Sequence, residues 1–411
     1  MKTNLGRIKK NIETLATFNA TPGNGVTRHS FTNEDKQARA YIKEALAQLG
    51  LKIWEDGYSN LFGRLEGENP DAPAIMIGSH YDSVTNGGQF DGPAGLVAAL
   101  ETLCVIKENN IALYHPIELV AMNDEEGVRF GTGVSNSRAM AGVMRDEELD
   151  TVKDKDGVSL REAIASLGIT PDLNSARRKK GSLKAFVELH IEQGPILENG
   201  GSDVGLVETI VGLDRYEVTI HGKAGHAGTT PMDSRNDAMV AAAEYTLAVN
   251  KAVKEVGHGT VGTVGQIKLF PNASNVIPQQ AVLSVDVRST KEPYLTAVEQ
   301  KLKAAIAQIE AAHTVKIDAV KKLYVPPVDM SPETIAVMEN ICDALGYRHV
   351  KMNSGAGHDA MIMAQITAAN LIFVPSKNGL SHHPDEWTDY EQLQKGVELM
   401  LETVLKLAGK Q

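Results

Sequence analysis

The spacing of apolar and polar positions changes character part-way along the chain. From Asn33 to Leu49, the residues Tyr41, Ile42, Ala45, Leu46 and Leu49 fall on one stripe and Gly50 follows as a stop, which predicts a helix. The short apolar run AIMIGS (Ala74–Ser79) predicts a buried strand ending at His80. Asp91-Gly92-Pro93 opens a helix predicted to reach Asn109, with proline near its first turn. HPIELVAM (His115–Met122) reads as a second strand running into Asn123-Asp124-Glu125-Glu126-Gly127, and AFVELH (Ala185–His190) as a third, with polar residues at once after it. Strands interleaved with helices predict an α/β fold with a mainly parallel central sheet. In such sheets, sites gather beyond the carboxyl ends of the strands.

After Gly212 the period changes. RYEVTIHGKA, GTVGQIKLF, AVLSVDVRS and VKIDAVKKLYV alternate as half-exposed strands, with helices expected at Asp237–Val256 and Lys291–Ala312. Two helices on one antiparallel sheet make an α+β unit, expected at 213–327. It interrupts a first domain made of 1–212 and 328–411, because GAGHDAMIMA and LIFVPSKNGLSHHPDEW return to the α/β pattern.

Composition narrows the class. The 411 residues are 42% apolar and 23% charged, which excludes a disordered, collagen-like or disulfide-stapled chain and fits two domains. Lys plus Arg number 41 against 52 Asp plus Glu, a formal charge of −11 with no basic block, so neither nucleic acid nor an anionic membrane is an expected partner. No apolar run approaches the ~18–20 residues that span a bilayer. Cys104 and Cys342 are too few for a disulfide framework, and MKTNLGRIKKNIETLATF lacks the apolar core of a signal peptide, so the expected compartment is the cytoplasm.

Candidate chemistry collects where the strands end. In His80-Tyr81-Asp82, residues two apart on extended backbone face the same way, so His80 can face a site with Asp82 behind it to orient the ring; a polar turn leaves the same trace. Asp91 can bridge two cations or simply cap a helix. Glu125 and Glu126 diverge on extended backbone, one able to bind metal and the other to face a water; a solvated acidic loop is the plain alternative. His190, the Ser381-His382-His383 turn and His226 in GKAGHAGTTP are each ordinary alone. Their joint placement matches what two divalent cations require.

Over nearly its whole length the sequence resembles peptidase family M20, in its amidohydrolase branch of N-carbamoyl-L-amino-acid hydrolases, allantoate amidohydrolases and β-ureidopropionases. The stretches that carry the resemblance are GSHYDSVTNGGQFDGPAG (78–95), DEEGVRF (124–130), SRAMAG (137–142), ELHIEQGPILE (188–198), GKAGHAGTTPM (222–232), NVIP (275–278), SGAGHDA (354–360) and NGLSHHPDEW (378–387). ELHIEQG is the most specific, because the peptidases and deacylases of the clan usually carry a carboxylate where His190 stands. The resemblance implies a catalytic domain with two divalent cations per subunit, zinc first and manganese, cobalt or nickel as alternatives, and an inserted lid that also forms a homodimer. It implies His80, Asp91, Glu126, His190 and His382 as metal ligands, with Asp91 as the bridge, and Glu125 as general base. His226, Asn275 and Arg288 are implied as lid contacts to substrate, supplied to the partner subunit's site, with His226 also stabilising the oxyanion. Gln193 and the Gly355, Ala356, Gly357 backbone are implied as substrate-binding loops. His358 and Asp359 stay open between a site role and shaping the loop.

The expected reaction is metal-dependent hydrolysis of the ureido C–N bond of an N-carbamoyl-L-amino acid, a small-molecule ureido acid. Allantoate hydrolysis is the alternative: SGAGHDA and Arg215-Tyr216 lean that way, QFDGPAG and SRAMAG towards the carbamoylases. A peptidase of the same clan and a catalytically silent binding protein are weaker readings. A dinucleotide fingerprint fails, since Gly131-Thr132-Gly133 continues with Asn136 where a glycine is needed.

Overall fold

A computed structural model describes residues 2–409. The chain forms two compact units, one running up to Glu208 and resuming at Asp329, the other Thr209–Val328. The strands begin with β1 (Lys52–Glu55), β2 (Leu61–Leu65), β3 (Ala74–His80), β4 (Ile117–Met122), β5 (Leu183–Ile191) and β6 (Val204–Ile210). They continue with β7 (Gly212–His221), β8 (Gly225–His226), β9 (Val261–Phe270), β10 (Val276–Ile277), β11 (Gln280–Ser289) and β12 (Lys316–Val325). The last are β13 (Val328–Asp329), β14 (His349–Ser354) and β15 (Ala368–Val374).

The larger sheet runs β1-β2-β4-β3-β5-β15-β6-β13, with β14 on β6. Its middle, β4-β3-β5-β15, is parallel, as the alternation of strands and helices implied. β1, β2 and β6 pair antiparallel on the flanks. β3 and β4 are buried at every position, as strands covered on both faces must be. The helix predicted from Pro93 spans Pro93–Glu108, and only Lys107 and Glu108 escape burial. It packs on β3 and β5 and on the helices Leu5–Thr17 and Tyr390–Leu407. Its buried Glu101 accepts from the Arg7 guanidinium (Nη2, 2.9 Å) and the Asn4 amide (2.7 Å), fastening the first helix to it. Gly95 is required here, since a Cβ would strike the Leu189 carbonyl on β5.

Residues 135–176 carry four short helices, Ser135–Ala141, Glu148–Thr151, Leu160–Ala165 and Leu173–Ala176. They share a side core of Phe31, Tyr58, Phe130, Met144, Leu160 and Ile164. None is long enough to show a helical period, which is why the sequence pattern did not reveal them.

The other unit is a four-stranded antiparallel sheet, β12-β7-β11-β9, with helices Ala238–Val256 and Glu292–His313. Ala281, Leu283, Val285 and Val287 alternate inward on β11 against Tyr245, Val249, Leu295 and Leu302. A separate ribbon pairs β8 with β10. Among the described residues no helix is long and apolar enough to cross a membrane.

Gly95→Ala should force the Pro93–Glu108 helix off β5 and cost about 1–3 kcal/mol, as overpacking does. A lowered thermal unfolding midpoint is the expected result; an unchanged one would show that the helix can shift freely.

Candidate metal centre

The four parallel strands each hand one part of the site to the same end of the sheet. β3 ends in His80, β4 leads into Glu125 and Glu126, β5 carries His190, and the chain beyond β15 brings back Ser381 and His382. Asp91 joins them from the turn before Pro93. That turn is tight because Gly92 has φ 82°, and a Cβ there would run into the His80 ring.

The geometry centres on Asp91. Its Oδ1 faces His80 Nε2 at 3.4 Å and His190 Nε2 at 3.1 Å, while the two Nε2 atoms are 3.4 Å apart. Its Oδ2 faces His382 Nε2 at 3.3 Å, and His382 Nε2 lies 3.5 Å from Glu126 Oε1. Two groups of potential ligands result, His80/Asp91/His190 and Asp91/Glu126/His382, sharing Asp91.

Ring orientation decides what those groups fit. His80 Nδ1 is 3.1 Å from the Asp82 carbonyl and His190 Nδ1 is 2.9 Å from the Ile191 carbonyl. A carbonyl only accepts, so each neutral ring carries its proton on Nδ1 and aims an Nε2 lone pair at Asp91. Lone pairs of two imidazoles and a carboxylate converging in a buried site repel unless a positive charge lies among them. Glu126 Oε1 is also buried without a hydrogen bond. This mixed imidazole and carboxylate set fits divalent transition metals.

The titration of the groups reports the same demand for positive charge. Burial opposes protonation of His80 and His190, yet Glu125 and Asp91 raise His80 well above its usual value, and Asp91 raises His190. Asp91 itself is held well below the carboxylate range, since the three histidines outweigh its burial. His382 is lifted to about 9, first by Asp91. Burial, then Asp91, pushes Glu126 to about 7. Glu125 is raised well above the usual range by burial, with Glu126 and Asp359 adding to it, and its Oε2 lies 4.0 Å from His80 Nε2.

Asp82 serves differently from the expectation. Its carboxylate is 3.7 Å from His80 Nδ1, and the ring is held by its main-chain carbonyl instead. The carboxylate accepts the amides of Asp124, Glu125 and Glu126 at 3.0, 3.1 and 3.1 Å. That fixes the turn whose first residue, Asp124, has φ 78°. Gln193 and His382 likewise have φ 60° and 55°, and such left-handed non-glycine residues persist only where surrounding contacts over-determine them.

Gln193 Nε2 donates to Asp91 Oδ2 (2.8 Å), and its Oε1 is buried without a partner. In the 355–357 loop, Ser354 Oγ donates to the Ala356 carbonyl (2.8 Å) and takes the Ala356 amide (3.2 Å). His358 is buried, reaches Ser354 Oγ at 2.9 Å and packs edge-on against His190 with centroids 4.6 Å apart. Burial and His190 hold it well below its usual pKa. Asp359 Oδ2 accepts from Asn136 Nδ2 at 3.0 Å.

His226, Asn275 and Arg288 belong to the other unit. There the ribbon brings the first two together: His226 pairs with Val276, and the Ala227 amide reaches the Asn275 carbonyl at 3.0 Å. His226 Nδ1 accepts the Gly228 and Thr229 amides, so the neutral ring carries its proton on an exposed Nε2. Arg288 and Arg215 both pair with Asp286, at 2.9 and 3.1 Å. Tyr216 faces the opposite way, buried against the helices.

Several residues were missed. Glu386 and Ser381 join Asp91, and Tyr58 donates to Asp124 Oδ2 at 2.8 Å. Glu188 binds Ser79 Oγ at 2.7 Å and was the most legible of them, as a lone acid inside an apolar strand two positions from His190.

Residues 76–406 match the model for peptidase family M20/M25/M40. The chain belongs to this family. It is 42% identical over 407 residues to an N-carbamoyl-L-amino-acid amidohydrolase of Paenarthrobacter aurescens, covering 99% of this chain and 98% of that one. It is 34% identical over 401 residues to an allantoate amidohydrolase of Escherichia coli (98% and 97%). A crystal structure of an amidase of the hydantoinase/carbamoylase family from Burkholderia multivorans superposes with a TM-score of 0.95 at 33% identity (99% and 98%). The M20 family is metal-dependent, its amidohydrolase relatives act on C–N bonds, and the chain is a hydrolase.

Asp82→Ala should leave the fold intact while loosening the turn that carries Glu125 and Glu126. Metal affinity measured by chelator competition should fall about 10–100-fold; unchanged affinity would remove Asp82 from this role.

Proposed function

We propose that the chain hydrolyses the ureido C–N bond of an N-carbamoyl-L-amino acid, giving the amino acid, carbon dioxide and ammonia. The observation that carries the reaction class is Asp91, one carboxylate shared by two groups of ligands with Glu125 alongside. Identity of 42% to a named N-carbamoyl-L-amino-acid amidohydrolase supports the substrate class. His80, Asp91 and His190 would hold one divalent cation and Asp91, Glu126 and His382 a second, zinc first, with manganese, cobalt or nickel as alternatives. Bound there, the cations supply Lewis acidity towards water and the ureido carbonyl.

The chain's own groups do the rest. Glu125 takes a proton from the attacking water and returns it to the departing amine nitrogen, its carboxylate standing beside the two ligand groups with Oε2 4.0 Å from His80 Nε2. The carbamate released then falls apart to carbon dioxide and ammonia. His226 offers an Nε2 proton to the developing oxyanion. Arg288 presents a planar donor pair to the substrate carboxylate, which suits arginine better than lysine. Gln193 Oε1 and the Gly355, Ala356, Gly357 backbone hold the ureido acid. The smaller unit is read as a lid that closes for turnover and dimerises the protein. Two free, buried cysteines support a cytoplasmic setting.

Allantoate is the second reading, supported by the 34% identity to an allantoate amidohydrolase. The deciding experiment is ammonia release by metal-stripped and metal-restored protein from allantoate and from a panel of N-carbamoyl-L-amino acids. Metal-dependent turnover of the panel with allantoate inert is expected. Preference for allantoate would move the substrate and keep the mechanism, and silence towards both would overturn the reading.

Two variants test the assigned roles. Glu125→Gln should keep its metals and lose about 10²–10⁴-fold in kcat; full activity would refute the base. His226→Ala should lower turnover with metal content unchanged, and loss of metal in that variant would refute a role at the oxyanion.

A further inference from the structure

Glu386 lies at the back of Asp91 and is 3% exposed. Its Oε1 accepts two successive backbone amides, Phe90 at 3.1 Å and Asp91 at 3.0 Å. Its Oε2 accepts from Ser381 Oγ at 2.9 Å, and the same Oγ lies 2.9 Å from Asp91 Oδ2. One side chain therefore joins the turn that presents Asp91 to the loop that presents His382, segments about 290 residues apart in the chain. Gly88 is bare on the side Glu386 approaches, where a Cβ would collide with the carboxylate. Phe90 adds an apolar seam between the same segments, its ring meeting Trp387 edge-on at 5.3 Å and Tyr390 at 5.6 Å.

A buried carboxylate with only neutral donors around it costs stability unless each lone pair is used. Here two amides and a hydroxyl serve it, and both amides belong to the turn of the shared ligand. Two adjacent amides fix the direction of a peptide plane, and so where the Asp91 side chain leaves the backbone. Ser381 has a single proton for two carboxylates, which couples the orientation of Asp91 to Glu386 as well as to His382. We propose that Glu386, through the Phe90 and Asp91 amides and Ser381, is the positioning residue that holds Asp91 between the two ligand groups.

The proposal rests on the reading of Asp91 as a metal bridge, so the test separates the two. Cobalt(II) is titrated into metal-stripped wild-type protein against a competing chelator, and the visible absorption of the bound ions is recorded, since it reports coordination geometry. Two ions in the wild type uphold the bridge; fewer would overturn that reading before any variant is considered. Glu386→Ala should then weaken binding about 10–100-fold and change the spectrum, as loss of a ligand's supporting partner does. Glu386→Gln should restore most of the affinity and the wild-type spectrum. Its amide oxygen can still take the Phe90 and Asp91 amides and its NH₂ can donate to Ser381 Oγ. Should Glu386→Ala fail to fold, Glu386→Asp serves in its place, because a carboxylate one methylene shorter is withdrawn from both amides. Wild-type affinity and spectrum in the shortened variant would overturn the positioning role. So would a Gln variant as impaired as the Ala variant, which would make the charge, and not the hydrogen-bond pattern, what matters.

Discussion

The arrangement of the larger unit depends on a crowding of like charge that a folded chain would ordinarily avoid. Around Asp91, two imidazole lone pairs and the carboxylates of Glu125 and Glu126 are withdrawn from water within a few ångströms. Desolvation makes each of these groups expensive in isolation. Together they are tolerable only if positive charge sits among them, as protons on the histidines or as metal. The raised histidines and the depressed Asp91 are two views of that one requirement. A site of this kind stores its affinity in advance, because the repulsion is relieved when a cation arrives.

Holding such groups together calls for stiff loops, and the protein stiffens them by one repeated device. A carboxylate accepts successive amides: Asp82 takes residues 124 to 126 and Glu386 takes 90 and 91 across distant segments, and Glu192 takes Ile196 and Leu197 within its own loop. Runs of amides pointing at one anion form a concave nest of partial positive charge. These acids do not meet the ligand atoms of the histidines; they determine where the backbone beneath those ligands lies. The left-handed residue Asp124 is held by this bracing, its amide on Asp82, and Gln193 by a hydroxyl instead, its amide on Ser376 Oγ.

How much of this could be read from the chain follows from the range of each interaction. The long helices and the buried strands carry their periods locally, so Asn33–Gln48, Pro93–Glu108 and the alternation on β11 were legible within a residue or two. The flanking strands β1 and β2 were not, being only four and five residues long, too short to show a period. Each candidate ligand alone looked like a polar turn, and only their common position after strands, together with the family resemblance, joined them. Asp82 was singled out for its spacing from His80, but its carboxylate is spent on a loop some forty residues away. Glu386 lies in the NGLSHHPDEW stretch of the resemblance but gave no signal of its own, because it follows Pro384 and Asp385 in what reads as an exposed turn. Such contacts have no period, and nothing local announces them.

The strand order has a consequence for synthesis. β15 lies between β5 and β6, although both of those emerge from the ribosome well before it. Until β15 is made, β5 and β6 cannot complete the sheet, and each presents an unpaired backbone edge of the kind that recruits other chains. The late strand also leads to Ser381 and His382, so the same event that seals the gap in the sheet delivers the last donors to Asp91. A nascent chain stalled short of β15 is therefore both sticky and short of His382, one member of the second group around Asp91, which makes the interval before that strand arrives the one in which a chaperone has most to protect.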